Sequence, residues 1–252
     1  MKTSNQANTT KYSQFAVSLV CCTPILIMLG LIVACDKISE QVFDQRINEG
    51  IIEYEITFPE LGSESITASL LPEKMVYRFS ENCFASNFET AGGIFQNNIT
   101  ADYETKNLEH KLKVFRKKIK VDMEESQVLR MLTQYPHMTV INTNQVDTIA
   151  GFPCKKALIV FEAMDSQEIE VYYTQHIKMN NPNWCTPYHE IDGVLMAYEI
   201  EEFGVRMRLE AKAVKNLDNR DCLKPLNDGD FVPITREMME AELGQLVETF
   251  SF

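Results

Sequence analysis

Seven cysteines and four histidines are the residues of this 252-residue chain whose types could do chemistry beyond packing. Beyond Cys35 come Cys83, Cys154, Cys185 and Cys222. Four thiols allow two disulfides in three pairings if the protein folds in an oxidising compartment. Cys185 and Cys222 lie in loop-like sequence and form the first candidate pair. Cys83 and Cys154 sit in strand-like sequence, where a free thiol packs as a small hydrophobe. For a metal, Cys185 and His189 stand four apart in "WCTPYH" with His176 upstream. A zinc site takes three or four ligands, usually more tightly paired. Neither CxxC nor HExxH occurs, so no metal or cofactor is expected. His110 and His137 read as surface or cavity-rim residues. GxSxG, SxxK and a cysteine partnered to histidine are also missing, so the expectation is a protein that is not an enzyme.

Cys35 is different because of what precedes it. Residues 1–14 are polar, with Lys2 and Lys11 and no acid, and Phe15 to Ala34 carries no charge. A positive start, an apolar middle and small residues before a cut form the layout of an export signal. The run is also long enough to cross a bilayer, at about twenty residues and 1.5 Å per residue. A cleaved signal and an uncleaved anchor both fit. Ile32-Val33-Ala34-Cys35 resembles the lipobox of bacterial lipoproteins, with Ile32 where leucine is commoner. The resemblance implies a diacylglyceryl group on the Cys35 sulfur and cleavage after Ala34. Residues 1–34 are then a signal peptide and 35–48 a tether of roughly 45 Å if extended. The place implied is the bacterial cell envelope, with the lipid as membrane anchor.

The remainder must supply the elements that hold any site. In "GIIEYEITFPE" Ile52, Tyr54, Ile56 and Phe58 alternate with Glu53, Glu55 and Thr57, the pattern of a half-buried strand. "KMVYRF" sets Met75, Tyr77 and Phe79 against Lys74, Val76 and Arg78. Weaker strands flank Gly92-Gly93, and "LEHKLKVF" with "KIKV" reads as a hairpin cornering at Arg116-Lys117. Further strands fall at "MTVINT", "AGFPCKKALIVFE" and "QEIEVYYT", and residues 193–216 read as the clearest hairpin. Helix is expected around 123–135, with Val128, Leu132 and Tyr135 on one stripe and Pro136 beyond. A second begins at Arg236 with Thr235 as N-cap. The fold class is therefore mainly β, within α+β: about ten antiparallel strands in a curved half-barrel covered by one or two helices. The domain spans 49–220, and 221–252 is a C-terminal segment with a short helix.

A net charge of −12 and a pI near 4.9 argue against nucleic acid as a partner. One basic island interrupts the acidity: Lys111, Lys113, Arg116, Lys117, Lys118 and Lys120. It could face an anionic surface or serve as a hairpin edge whose lysines discourage strand pairing. The loop 180–193 holds Trp184, the single tryptophan, with Tyr188 nearby; these two could form a cavity mouth, present themselves to an envelope protein, or plug the barrel end.

The segments "GIIEYEITFPE", "DTIAGFPCKKALIVF" with "EIEVYYT", and "IDGVLMAYEIEEFGVRMRLEAKAV" together resemble envelope lipoproteins of Bacteroidota, over Gly50 to about Asn216. That family is grouped with the fold of the LolA and LolB lipoprotein carriers. The resemblance implies an antiparallel half-barrel around an apolar cavity able to accept acyl chains; it does not imply lipoprotein transport. The residues expected to line the cavity are Tyr54, Ile56, Phe58, Met75, Tyr77, Phe79, Leu112 and Val114, with Val128 and Leu132 on the lid. The expected function is binding of an apolar small molecule or lipid. A filled core serving protein–protein contacts is the alternative.

Overall fold

The computed structural model describes residues 47–61, 71–162, 168–202, 205–216 and 229–250. Twelve strands follow in chain order: β1 (Gly50–Thr57), β2 (Lys74–Ser80), β3 (Cys83–Glu89), β4 (Phe95–Asp102), β5 (Asn107–Val114) and β6 (Lys117–Met123) precede the first helix, α1 (Glu125–Leu132). Then come β7 (Met138–Ile149), β8 (Phe152–Phe161), β9 (Glu168–Thr174), β10 (Val194–Glu202), β11 (Val205–Lys215), β12 (Val232–Pro233) and α2 (Arg236–Phe250). All strands share one sheet, ordered β12-β6-β5-β4-β3-β2-β1-β11-β10-β9-β8-β7. Each neighbouring pair is antiparallel except β12, which runs parallel to β6. The expected curved, mainly antiparallel sheet with two covering helices is what the chain forms. β7 and β12 remain at opposite edges, so the sheet is not closed into a barrel.

The alternation seen in the sequence orients the strands. In β1, Ile52, Tyr54 and Ile56 are buried while Glu55 and Thr57 are exposed. Opposite faces separate chemistry because successive side chains point to opposite sides. The outward face carries ion pairs across strands, Lys212 with Glu55 at 3.2 Å and Arg208 with Glu199 at 3.2 Å, and one along β11, Lys212 with Glu210 at 2.6 Å. Solvated pairs of this kind each contribute at most about 1 kcal/mol. Bulges at Glu53/Tyr54, Leu195/Ala197 and Asn142/Val146 bend their strands. β10 is buried on both sides, with adjacent Leu195 and Met196 at 6% and 0% exposure.

The helices cover one flank. α1 opens with a reciprocal cap: Glu124 accepts from the Gln127 backbone, and the Gln127 side chain accepts from Glu124 N at 2.9 Å. α2 starts where Thr235 Oγ1 accepts from Met238 N at 3.3 Å. Val128 of α1 and Met239 of α2 enter one core with Leu112, Ile119 and Val121. The C-terminal segment thus completes the same core, with Ile234 N donating to Lys120 O at 2.9 Å beside the β12–β6 pair. Two strands are longer or newer than the sequence suggests. β7 continues to Ile149 and turns through Ala150 and Gly151, both at positive φ, into β8; positive φ at both central residues marks a tight primed hairpin turn. β12 is two residues long, too short for any periodicity.

Two glycines test the packing. A Cβ on Gly50 would lie 2.3 Å from Lys215 O, whereas one on Gly151 meets nothing within 4 Å. Gly50→Ala is expected to cost about 2–3 kcal/mol through a backbone clash. Gly151→Ala should cost about 1 kcal/mol through its positive φ alone. Chemical denaturation of both variants, comparing midpoints at constant slope, checks the ordering.

Candidate functional site

The sheet curls around a half-enclosed hollow of about 350 Å³. Its wall includes Val121 of β6 and Ile200 of β10, which are seven strand positions apart in the sheet order. Seven spacings of about 4.8 Å span roughly 34 Å when flat, so only a strongly curved sheet brings both to one cavity. Apolar side chains dominate: Tyr54, Met75, Tyr77, Phe84, Phe88, Phe95, Ile99 and Tyr198 come from the sheet, and Met131, Met239 and Leu243 from the helices.

Aromatic rings cross the hollow's wall in one connected series. Phe161 meets Tyr188 at 6.3 Å between centroids, Tyr188 meets Tyr198 at 5.9 Å, and Tyr198 meets Tyr54 at 6.1 Å, all edge to face. Tyr54 then meets Tyr77 at 6.3 Å, and Tyr77 stacks on Phe84 at 5.0 Å. Such pairs add about 0.5–1.5 kcal/mol beyond area burial. Tyr54 Oη donates to Leu195 O at 2.7 Å, fixing a ring whose body faces the cavity. Burial pushes the phenols of Tyr54, Tyr77 and Tyr198 well above the ordinary tyrosine range, so they stay neutral.

The loop 180–193 closes one end of the hollow. Pro182, Asn183, Cys185, Thr186, Pro187 and Tyr188 all line it. Asn183 Nδ2 donates to Ile191 O at 2.8 Å and Gly193 O at 2.9 Å, tying the loop to itself. Tyr103 Oη donates to Pro182 O at 3.2 Å, and Tyr188 Oη donates to Glu199 O, tying it to the sheet. Trp184 is 5% and Tyr188 2% exposed; Tyr188 lines the hollow, and Trp184 packs in the core with Tyr103 and Met123. The reason for this burial is that the concave sheet offers more apolar surface than the helices cover. Trp184 Nε1 has no hydrogen-bond partner among the described residues, and the Lys106 ammonium sits 4.8 Å from its ring centroid.

The expected Cys185–Cys222 disulfide is not formed: Cys185 is a buried free thiol. Cys83 is the disulfide-bonded cysteine among the described residues, in contrast to its reading as free, and Cys154 is free as expected. Loop position was a poor guide because the loop itself is buried. Burial pushes the Cys185 thiol up to about 12 and Cys154 to about 11, which leaves both protonated and unreactive near neutrality. Cys185 is buried while His189 is exposed, so the two do not converge on a metal. Cys35 and Cys222 lie outside the described residues.

Of the expected lining residues, Tyr54, Phe58, Met75 and Tyr77 do line the hollow. Ile56 and Phe79 pack instead in the core between β1, β2, β10 and β11. Leu112, Val114, Val128 and Leu132 pack in the core beneath the helices, with Leu112 and Val128 at 0% exposure. Alternation assigns a face, but not which stretch of that face stays uncovered. The lid is formed by Met131, Met239 and Leu243 rather than Val128 and Leu132.

In the polar part of the wall, the sequence reading has His110 as a surface or cavity-rim residue and does not name Asn97. His110 of β5 and Asn97 of β4 both line the hollow, and His110 Nε2 lies 2.5 Å from Asn97 Oδ1. Burial holds the His110 imidazole down at about 4, so it is neutral near pH 7. Because Oδ1 accepts, Nε2 donates, and Nδ1 carries the lone pair. A signal existed: His110 occupies an inward slot between Leu108 and Leu112 in the alternation. The charged wall residues are Arg236 and Glu240, which pair with one another one turn apart, while Arg236 Nη2 also donates to Gln134 Oε1 at 2.6 Å.

Three of the six basic residues of the hairpin are ion-paired among the described residues. Lys111 pairs with Glu109 at 2.7 Å, Lys120 with Asp122 at 2.8 Å, and Lys117 with Glu242. Lys111 and Lys118 lie 5.7 and 5.8 Å from the Phe231 ring centroid. At the tip, Phe115 is 63% exposed beside Ile94 at 49%, and Phe115 N donates to Ile94 O at 2.7 Å.

No protein-family model matches the chain, and no curated protein matches it. Among solved structures, PNGF-II in a C2 crystal form is similar over 79% of this chain at 14% identity and a TM-score of 0.48. PNGF-II in a P21 form gives 77%, 13% and 0.49. The chain spans 33% of the length of either structure.

Between about 4 and 6.5 the unfolded chain binds a proton at His110 that the folded chain does not. Stability contributed by the neutral imidazole is therefore complete above pH 6.5 and declines as pH falls through that window, by up to about 1.4 kcal/mol per unit. Denaturation midpoints of wild type and His110→Gln, measured from pH 7.5 to 4.5, are expected to diverge in that interval, with the variant flatter.

Proposed function

We propose that this protein is a lipid-anchored envelope protein that holds an apolar ligand, an acyl chain or other lipid, within its curved sheet and catalyses no reaction on it. The observation that carries the reading is the aromatic-lined hollow of about 350 Å³, which falls within the 300–1,000 Å³ typical of small-molecule sites. Its wall offers apolar area with a few placed polar groups, the usual composition of a binding pocket. The anchor at Cys35, and the kinship with Bacteroidota lipoproteins and LolA-like carriers, rest on the sequence resemblances.

A second reading, an interaction module of the envelope, is favoured by the exposed Phe115–Ile94 tip. The two readings differ in what the hollow is for. Ile99 sits in the wall between His110 and Ser86 in cross-strand register. Full-length protein isolated in amphipol and extracted with organic solvent is expected to release an apolar compound, and Ile99→Trp, whose larger ring intrudes on the hollow, to release less of it at unchanged thermal midpoint. Equal release from both would move the ligand off this site and favour the interaction module. For the anchor, Cys35→Ser is expected to abolish incorporation of radiolabelled palmitate and to shift the protein out of the membrane fraction. Labelling that persists in this variant removes the lipid from the proposal.

A further inference from the structure

Nearly every polar group in the hollow's wall is already spent on the protein. Tyr54, Tyr188 and Asn183 donate to backbone carbonyls, Thr186 Oγ1 donates to Asn183 O at 3.0 Å, and Thr90 Oγ1 accepts from Phe95 N at 3.2 Å. Arg236 and Glu240 satisfy each other at the helix rim. Besides the Tyr198 phenol on β10, what remains among the described residues lies on three adjacent strands. His110 Nδ1 and Asn97 Nδ2 make no hydrogen bond among the described residues, and neither is shielded from the cavity. Ser86 lies on the same face, one strand beyond Asn97.

The His110–Asn97 pair has a defined hydrogen-bonding signature. Asn97 Oδ1 takes the Nε2 proton, which leaves one acceptor, Nδ1, beside one donor group, Asn97 Nδ2. A hydroxyl, which both donates and accepts, satisfies the two together. A carboxylate or phosphate would set its lone pairs against Nδ1, in an apolar cavity whose one lining cation among the described residues is already paired. Protonating the imidazole to welcome such an anion opposes its burial. An alkane or ether would leave the Nδ1 lone pair unmet, which costs affinity because buried polar groups must be paired.

We infer that the His110–Asn97 pair is a recognition site for the hydroxyl of an uncharged apolar molecule, such as a long-chain alcohol or a partly acylated glycerol, and that it excludes anionic headgroups. This rests on the apolar-ligand reading above and adds the ligand's class to it.

The test uses full-length protein in amphipol at pH 7.5, incubated separately with 1-decanol, decyl methyl ether, decanoate and monodecanoylglycerol, with bound ligand extracted and quantified by gas chromatography across a concentration series. Decanol is expected to bind about tenfold more tightly than the ether, the weight of one neutral hydrogen bond, and decanoate more weakly than either. His110→Leu is expected to bring decanol and ether to equal affinity while retaining ether binding. Tighter binding of monodecanoylglycerol than decanol assigns the hydroxyl to a glycerolipid, and the reverse order assigns it to a free alcohol. If the ether or decanoate binds wild type as well as decanol does, the hydroxyl site is wrong while the apolar cavity stands. If none of the four binds, the apolar-ligand reading falls as well. The wild-type comparison decides the matter should His110→Leu fail to fold, and Asn97→Leu then serves as the second variant, with the same levelling expected.

Discussion

A sheet of this size presents more concave apolar surface than its helices can cover. Twelve strands at about 4.8 Å spacing make an arc roughly 50 Å wide. Two helices, each about 10 Å across, can cover less than half of it. Exposed apolar surface of that extent is costly, at about 25 cal/mol per Å². The chain resolves the mismatch in two ways. Bulges curl the sheet until β6 and β10 face one hollow, and the loop 180–193 folds Cys185 and Tyr188 into one end. What neither device fills is the cavity.

The electrostatics follow from the same division. Charges sit on the convex face and pair across strands, as in Lys156 with Glu170 at 2.5 Å, where water screens them. On the concave side ionisable groups are held neutral: tyrosines above their ordinary range, thiols above theirs, and His110 below its own. The paired Arg236 and Glu240 at the helix rim fit that pattern.

Much of the fold was legible because strand alternation is a local property. Glu53, Glu55 and Thr57 against Ile52, Tyr54 and Ile56 told the faces apart, and Thr235 marked the start of α2. β12 was not legible, since a two-residue strand has no period and exists because α2 draws it against β6. The site was half legible. Tyr54, Phe58, Met75 and Tyr77 line the hollow, but Phe79, Leu112 and Val128 share their pattern and are fully packed. The aromatic loop stood out in composition, yet its burial depends on a vacancy created by distant strands.

The sequence by itself determined which side of each strand is apolar, where the helices begin, and that the chain is acidic on its outer face. Those are matters of neighbours within a few residues, where side-chain period and capping act. Tertiary structure alone decided which apolar residues face open space, which cysteine forms a disulfide, and that His110 and Asn97 meet. Each of those depends on groups brought together from different strands, and the spacing between strands is set by curvature, which no local pattern encodes.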